Sequence, residues 1–289
     1  MTNKLKPQVL ATVTSADFLI GTQVMIDSFL CHNRWFDGRI VIIHDDLSPA
    51  DQAVLRHRFP QSECRNPAPD LWHCIADLIE HRPKLSSRYR RFFSLDIFDD
   101  DGNGGVLFAD SDMLFSKSIE PIANVSAPIA ACADRAMLVG NSRDRKTLEE
   151  LTQPAGTDGF QSFNAGLMFI KPELRTRETR QCLLGSLAPK AWDNVVSDHT
   201  DQAVLNRCFG DLVELISPAY NRMVGHGGRL SGIEYPSVAS ARALHFNGKA
   251  KPWRMTDDVR KMTQHPDYAA ALKLWHAAYR RLLDRAPST

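Results

Sequence analysis

The first sixty residues alternate between stretches typical of strands and stretches typical of helices, and this order limits the folds open to the chain. The β-branched run 8–14 suits a strand, and 18–30 spaces its apolar residues like a helix packed on a sheet. The nearly continuous apolar run 38–44 is typical of a strand covered on both faces. Ser48 and Pro49 suit the cap and first turn of a second helix. This β-α-β-α order predicts an α/β fold with right-handed crossovers.

The remaining elements are less regular. Residues 136–160 are polar and rich in turn formers, which predicts an excursion over the sheet. Further apolar segments predict a helix over 86–98, strands at 106–109, 165–170 and 241–246, and a final helix over 268–285, and another apolar run lies at 212–216. We therefore expect a single α/β domain over 1–255, followed by a helical extension over 256–289.

Charge and composition exclude several classes of protein. The formal net charge is +1, with 35 basic and 34 acidic residues, so the basic excess typical of nucleic-acid binders is missing. The six cysteines form no CxxC pair, which favours reduced packing thiols. No apolar run reaches the 18 residues of a membrane span, and the first apolar run is short for a signal peptide. A cytoplasmic enzyme is the expectation.

The sharpest chemical signal is the segment VLFADSD, in which an apolar strand is followed at once by Asp110 and Asp112. Ligands of open α/β sheets bind beyond the carboxyl ends of the strands. Alternate residues of an extended chain point to one side, and two carboxylates together suit Mg²⁺ or Mn²⁺. The competing interpretation is a solvated acidic turn, since such triplets are common.

A calcium loop competes for the same region. Asp99, Asp101, Asn103 and Gly104 stand at positions 1, 3, 5 and 6 of such a loop. Position 12 would be Asp110, where the motif requires glutamate, and a strand rather than a helix is expected there. The sequence contains no second loop to pair with it. A plain connection is therefore favoured over a calcium module.

Three later segments place polar residues beside apolar runs. Acids three residues apart share one face of a helical turn. Taken singly, each polar residue also fits a helix cap, a packed histidine or a solvated loop. The segments are SFNAGLMFI with Asn164 and Gly166, SDHTDQAVLN with Asp198, Asp201 and Gln202, and LHFNGKAKPW with His245, Gly248 and Lys251.

Taken in order, these segments resemble the retaining glycosyltransferases of family 8, the group of glycogenin and the bacterial lipooligosaccharide galactosyltransferases. The resemblance runs from about Gln8 to Trp253. Five weak matches in one order are far more specific than any of them alone. They are VLATVTSADF, YRRFFSLDIF with VLFADSD, FNAGLMFI, DQAVLN and HFNGKAKPW.

The resemblance implies a single GT-A (Rossmann-like) domain that binds a UDP-sugar. By match to the family's motifs, the divalent metal, Mn²⁺ or Mg²⁺, would be held by Asp110, Asp112 and His245. Gly248 and Lys251 would receive the diphosphate, because glycine allows close backbone approach and lysine offers a compact positive charge. The other implied donor-binding residues are Arg91 near the donor, Thr14, Ser15 and Phe18 at the base and ribose, and Asn164 and Gly166 at the sugar.

The implied activity is the transfer of a hexose (glucose, galactose or an N-acetylhexosamine) with retention of configuration. Asp198, Asp201 and Gln202 would line the sugar pocket as the catalytic residues. Retention requires either a covalent intermediate, formed on Asp201 or Gln202, or front-side attack. The expected acceptor is a separate glycan or glycolipid, such as a bacterial surface polysaccharide. The alternatives are a non-catalytic nucleotide-sugar binder and a self-glycosylating enzyme.

The C-terminal helix has two possible roles. Its apolar residues recur at helical spacing from Tyr268 to Leu283, with lysine and arginine near the stripe. Such a helix docks on the enzyme's own body or lies on a membrane that carries the acceptor, at the inner face. We expect docking, because the charge is modest and packing is the commoner use of an apolar stripe.

Overall fold

A computed structural model describes residues 5–99, 104–138, 162–193, 195, 199–226 and 235–285 of the chain. In this part the strands are β1 (Pro7–Val13), β2 (Arg39–Ile43), β3 (Ser62–Arg65), β4 (Gly105–Ala109), β5 (Met113–Phe115), β6 (Ile129–Ala133), β7 (Phe163–Ile170), β8 (Val213–Ile216), β9 (Arg222–Met223) and β10 (Ala243–His245).

The α-helices of the same ranges are α1 (Leu19–His32), α2 (Pro49–Arg58), α3 (Pro69–His81), α4 (Arg135–Leu138), α5 (Arg177–Gly185), α6 (Thr200–Phe209), α7 (Asp257–Met262) and α8 (Pro266–Asp284). Turns of 3₁₀ helix cover Ala16–Phe18, Pro83–Phe98, Glu120–Asn124, Pro172–Leu174, Pro189–Trp192, Gly210–Leu212 and Pro218–Tyr220.

Seven strands form the central sheet in the order β3-β2-β1-β4-β7-β6-β8. Strands β3, β2, β1 and β4 are parallel neighbours, and β8 is parallel to β6. Strand β7 runs antiparallel to both β4 and β6. The reversal brings the first residues of β7 to the edge where β1, β4 and β6 end. Polar residues from distant segments, such as Asp110 after β4 and Asn164 at the start of β7, therefore meet at this edge.

A small second sheet lies next to the same edge, in the order β5-β10-β9. Strand β10 pairs antiparallel with β5, and His245 lies opposite Met113. Since Met113 directly follows Asp112, this pairing places the histidine beside the acidic turn. The backbone N–H of Phe246 donates to the carbonyl of Asp112 at 3.0 Å, which fixes this register.

Most of the predicted elements are present within a few residues of their expected bounds. The cap of α2 is a full capping box, in which the Ser48 hydroxyl accepts from the Asp51 N–H and the Asp51 carboxylate accepts from the Ser48 N–H. The segment predicted to be helical over 86–98 is part of a 3₁₀ helix, Pro83–Phe98, which packs on α3, α6 and the central sheet. The excursion predicted over 136–160 lies almost entirely outside the described residues.

The central sheet has a hydrophobic layer on each face. One layer includes α1, α2 and α8, and the other includes α3, the Pro83–Phe98 segment, α5 and α6. Helix α8 buries Tyr268, Trp275 and Leu282 in the first layer. Arg285 forms an ion pair with Asp27 of α1 at 2.7 Å. The expected docking of the C-terminal helix is therefore confirmed. Among the described residues, no helix has the length and apolar character needed to span a membrane.

Candidate active site

The candidate site lies at the polar edge of the central sheet. Asp110 follows the last residue of β4, and its N–H donates to the carbonyl of Gly166 in the reversed strand β7 at 2.8 Å. The acidic turn and the start of β7 are thus joined by the backbone. Helix α6 begins nearby, and its first turn carries Asp201 and Gln202. The fold therefore brings together VLFADSD, SFNAGLMFI and the first turn of SDHTDQAVLN, three of the four segments described above.

Asp110, Asp112 and His245 converge as predicted. One potential ligand atom from each lies within 4.8 Å of the others. The Nε2 atom of His245 is 3.2 Å from Asp112 Oδ1 and 3.5 Å from Asp110 Oδ2. Two carboxylates and one imidazole form a donor set that fits a divalent cation such as Mn²⁺. The chemistry of the three side chains is therefore able to hold a metal ion.

The two carboxyl groups have opposite electrostatic surroundings. Burial, together with the negative charge of Asp112, raises the pKa of Asp110, against the opposing effect of His245. Burial also opposes ionisation of Asp112, but the ammonium group of Lys251 and the His245 imidazole outweigh it and hold its pKa well below the ordinary range. Asp112 is the more enclosed of the two, with 9% of its side chain exposed against 41% for Asp110.

Lys251 lies directly against the cluster of Asp110, Asp112 and His245. Its Nζ donates to Asp112 Oδ2 and, at 2.8 Å, to the carbonyl of Phe246. The carboxylate of Asp112 therefore uses one oxygen for lysine and turns the other towards His245. Gly248 has φ +88°, a left-handed conformation that favours glycine. The loop that contains Gly248 and Lys251 therefore depends on a glycine at position 248.

The end of β1 holds the residues expected at the base and ribose. The hydroxyl of Thr14 lies 2.6 Å from that of Thr22, so this buried side chain packs within the protein. Ser15 is buried at the start of the 3₁₀ turn Ala16–Phe18. The ring of Phe18 lies under two cations, with Lys251 Nζ 5.5 Å and Arg254 Cζ 5.4 Å from its centroid. The ring of Phe18 therefore packs against the side chains of Lys251 and Arg254.

The residues expected around the sugar fall into two connected groups. The carboxylate of Asp201 accepts from Ser94 at 2.9 Å and from Thr200 at 3.1 Å. Burial raises the pKa of Asp201, and the positive charge of Arg91 opposes this effect. Arg91 also lowers the pKa of Asp110, against the larger effect of burial, so its charge reaches both carboxyl groups.

The second group is a hydrogen-bonded set of amides. Asn164 Nδ2 donates to Gln202 Oε1 at 3.1 Å, and Gln202 Nε2 donates to the Asp134 carboxylate at 3.3 Å. Gly166 leaves no room for a side chain, because a β-carbon there would lie 2.4 Å from Cε1 of His245. Asp198, the remaining expected catalytic residue, lies outside the described residues.

Two buried polar residues in this region were missed by the sequence analysis. Asn221 contacts Nδ1 of His245 at 2.9 Å, and Asp134, which follows β6, accepts from the Ser162 hydroxyl at 2.6 Å. Neither residue belongs to a local motif. They are found only when the sheet topology brings distant segments together.

The structure does not support the alternative calcium loop, in which Asp99 is position 1 and Asp110 is position 12. Strand β4 lies between Gly104 and Asp110, and five extended residues span about 17 Å. Asp110 faces His245 at the far end of that strand. Arg175 instead binds the carbonyls of Asp99 and Gly104 at 3.1 and 2.8 Å. Asp101 and Asn103 lie outside the described residues.

Comparison with known families agrees with this geometry. The sequence model described as glycosyl transferase family 8 matches residues 9–257. This chain belongs to glycosyltransferase family 8. The match contains the acidic turn, the start of β7, the first turn of α6 and the Lys251 loop. No curated protein matches the sequence closely enough to serve as a relative.

Solved structures show that this family 8 protein has the GT-A fold. The galactosyltransferase LgtC, in complex with donor and acceptor sugar analogues, superposes with a TM-score of 0.66 at 16% identity, covering 93% of this chain and 99% of LgtC. The glycosyltransferase GlyE of Streptococcus pneumoniae TIGR4 gives a TM-score of 0.59 at 16% identity, covering 93% of this chain and 64% of GlyE. Mouse xyloside xylosyltransferase 1 gives 0.56 at 15% identity, covering 83% and 97%. The chain is a glycosyltransferase with a cluster able to bind a metal.

Proposed function

We propose that this enzyme transfers a hexose from a UDP-sugar to a glycan or glycolipid acceptor with retention of configuration, and that Asp110, Asp112 and His245 hold a divalent metal. The observation that carries the proposal is the convergence of these side chains with Lys251 at the polar edge of the sheet. When bound, the metal would act as a Lewis acid on the donor diphosphate.

Lys251 would hold the diphosphate from the protein side. Its ammonium group is buried against Asp112 and Phe246, which fixes its position. A positive charge in an enclosed site stabilises the oxygens that become more negative as the sugar–phosphate bond breaks. Gly248 would let the backbone of the same loop approach the phosphates closely.

Asp201 and Gln202 would face the donor sugar. The Oε1 atom of Gln202 accepts from the Asn164 amide and from the Ala165 N–H at 3.4 Å. Two donors on this oxygen reduce its strength as a nucleophile. Each carboxylate oxygen of Asp201 accepts one hydrogen bond from a hydroxyl group. Because a carboxylate carries a negative charge and an amide does not, we favour Asp201 as the group that stabilises positive charge at the anomeric carbon.

The acceptor would be a separate molecule. All five tyrosines lie in the described part of the chain, and each is buried or half-buried. The hydroxyl of Tyr268 donates to the carbonyl of Ala250 at 3.2 Å, and that of Tyr89 donates to Asp45. Tyrosines held in this way do not suit self-glycosylation.

A panel of UDP-sugars with Mn²⁺ tests the proposal. Thermal shift would report donor binding, slow hydrolysis would report turnover, and the anomeric configuration of the released sugar would report the stereochemistry. We expect one hexose donor to stabilise the protein and to be hydrolysed with retention. Inversion, or the absence of binding and hydrolysis across the panel, would refute the proposal.

Sedimentation with anionic liposomes tests whether the exposed basic face of α8 also contacts a membrane.

A further inference from the structure

The two ring nitrogens of His245 have different partners. Nε2 faces the carboxylates of Asp110 and Asp112, whereas Nδ1 lies 2.9 Å from the Oδ1 atom of Asn221. A neutral imidazole carries its proton on one nitrogen only. Nε2 is able to bind a metal only if that proton is on Nδ1. The orientation of the Asn221 amide therefore decides whether the histidine is prepared to act as a ligand.

A backbone group fixes this orientation. The N–H of Gly166 can only donate, and it lies 3.0 Å from the Oδ1 atom of Asn164. Asn221 Nδ2 lies 2.8 Å from the same oxygen and donates to it. The amide nitrogen of Asn221 is thus turned towards Asn164, so its oxygen is turned towards His245. An oxygen at 2.9 Å from Nδ1 accepts a hydrogen bond, which places the proton on Nδ1.

Any other orientation of the Asn221 and Asn164 amides would break hydrogen bonds between buried groups. Rotating the Asn221 amide by half a turn would put its oxygen against the oxygen of Asn164. Rotating both amides would put the NH₂ group of Asn164 against the Gly166 N–H. Asn221 is 1% exposed, so water has little access to replace the lost bonds. Leaving such groups unpaired costs about 1–3 kcal/mol each.

We propose that Asn221 is a positioning residue: by accepting the Nδ1 proton of His245, it leaves Nε2, the nitrogen beside the two carboxylates, as the one that gives up its proton when a metal binds. The inference rests on the metal site of the proposed function. Asn164 is part of the same device, because its Oδ1 orients Asn221 while its Nδ2 donates to Gln202 at 3.1 Å. One hydrogen-bonded chain therefore joins the metal ligand His245 to the sugar-pocket residue Gln202.

The protonation of each ring nitrogen is measured directly by long-range ¹⁵N–¹H correlation NMR on the labelled full chain at neutral pH. The His245 signal is identified by its loss in His245→Gln. We expect Nδ1 to carry a proton in the wild-type protein, and an unprotonated Nδ1 would overturn the proposal. This result depends neither on metal binding nor on turnover, so it separates this inference from the proposed function.

A second measurement uses the affinity for Mn²⁺ alone, followed by the electron paramagnetic resonance of the free ion. Asn221→Leu removes the acceptor at nearly constant size, and we expect it to weaken binding by roughly tenfold to a hundredfold, as is typical when the partner of a ligand histidine is lost. Asn221→Asp keeps an acceptor for Nδ1–H and should retain the affinity, but its second oxygen faces Asn164 Oδ1 and should lower the stability of the fold.

The matched control is Asn33→Asp, at a buried asparagine outside the site that accepts from the Ile119 N–H at 2.8 Å and donates to the Phe29 carbonyl at 2.9 Å. It should leave Mn²⁺ affinity unchanged. Unchanged affinity in a folded Asn221→Leu protein would overturn the positioning role. If Asn221→Leu does not fold, the protonation of Nδ1 in the wild-type protein still decides the question.

Discussion

Gly166→Ala is the single substitution whose effect on the candidate site follows most directly from the geometry. The added β-carbon would lie 2.4 Å from Cε1 and 2.8 Å from Nδ1 of His245. Ordinary van der Waals contact begins at 3.4 Å, so the ring is about 1 Å too close and must move. It has little freedom to do so, because Nδ1 is bonded to Asn221 and its backbone lies between β5 and β9.

Two magnitudes follow from this clash. Adding a methyl group to a well-packed site costs about 1–3 kcal/mol of folding free energy. A shift of about 1 Å in a group that positions the reactants lowers the rate by about a hundredfold. We therefore expect Gly166→Ala to remain folded, to unfold at lower denaturant concentration, and to lose most of its metal affinity and turnover.

Gly185→Ala provides the matched control. A β-carbon at this position at the end of α5 would meet nothing within 4 Å. Its free energy of unfolding should stay the same or rise by up to about 1 kcal/mol, with unchanged turnover. Urea denaturation, Mn²⁺ binding and UDP-sugar hydrolysis are measured on both variants. Wild-type metal affinity and turnover in Gly166→Ala would refute the packing of His245 on this glycine.

Three further predictions concern other parts of the molecule. Asp112→Asn should lower the rate of UDP-sugar hydrolysis by about a hundredfold, equivalent to about 2.7 kcal/mol, without unfolding the chain; comparable rates would mean that the acidic turn has no catalytic role. Lys251→Ala should lower kcat beyond any effect on KM, and an unchanged kcat/KM would return this lysine to a structural role. Removing 266–289 should lower the melting temperature or the solubility, because it deletes the buried side chains of α8; a truncated protein of wild-type stability would contradict docking.

The acidic turn and the first elements of the sheet were predictable because their signals are local. Ser48 and Pro49 mark a helix start, and VLFADSD joins a buried strand to its polar end within seven residues. His245 has no local signal of comparable strength. It was selected because HFNGKAKPW follows the other segments in the order found in the family.

Other features depend on contacts between distant segments, which the sequence does not display. The reversal of β7 was not predicted, although it brings Asn164 to the site. Asn221 lies in a segment without a motif, and its importance comes from His245, 24 residues away. Thr14 was expected at the base, yet its hydroxyl is bonded to Thr22, one helical turn into α1.

The most direct test of the central claim is the hydrolysis of the preferred UDP-sugar by metal-free protein, with and without added Mn²⁺. If Asp110, Asp112 and His245 hold a catalytic metal, hydrolysis should be lost in excess EDTA and restored when Mn²⁺ is added beyond the chelator. Full activity of the metal-free protein in excess EDTA would contradict the account.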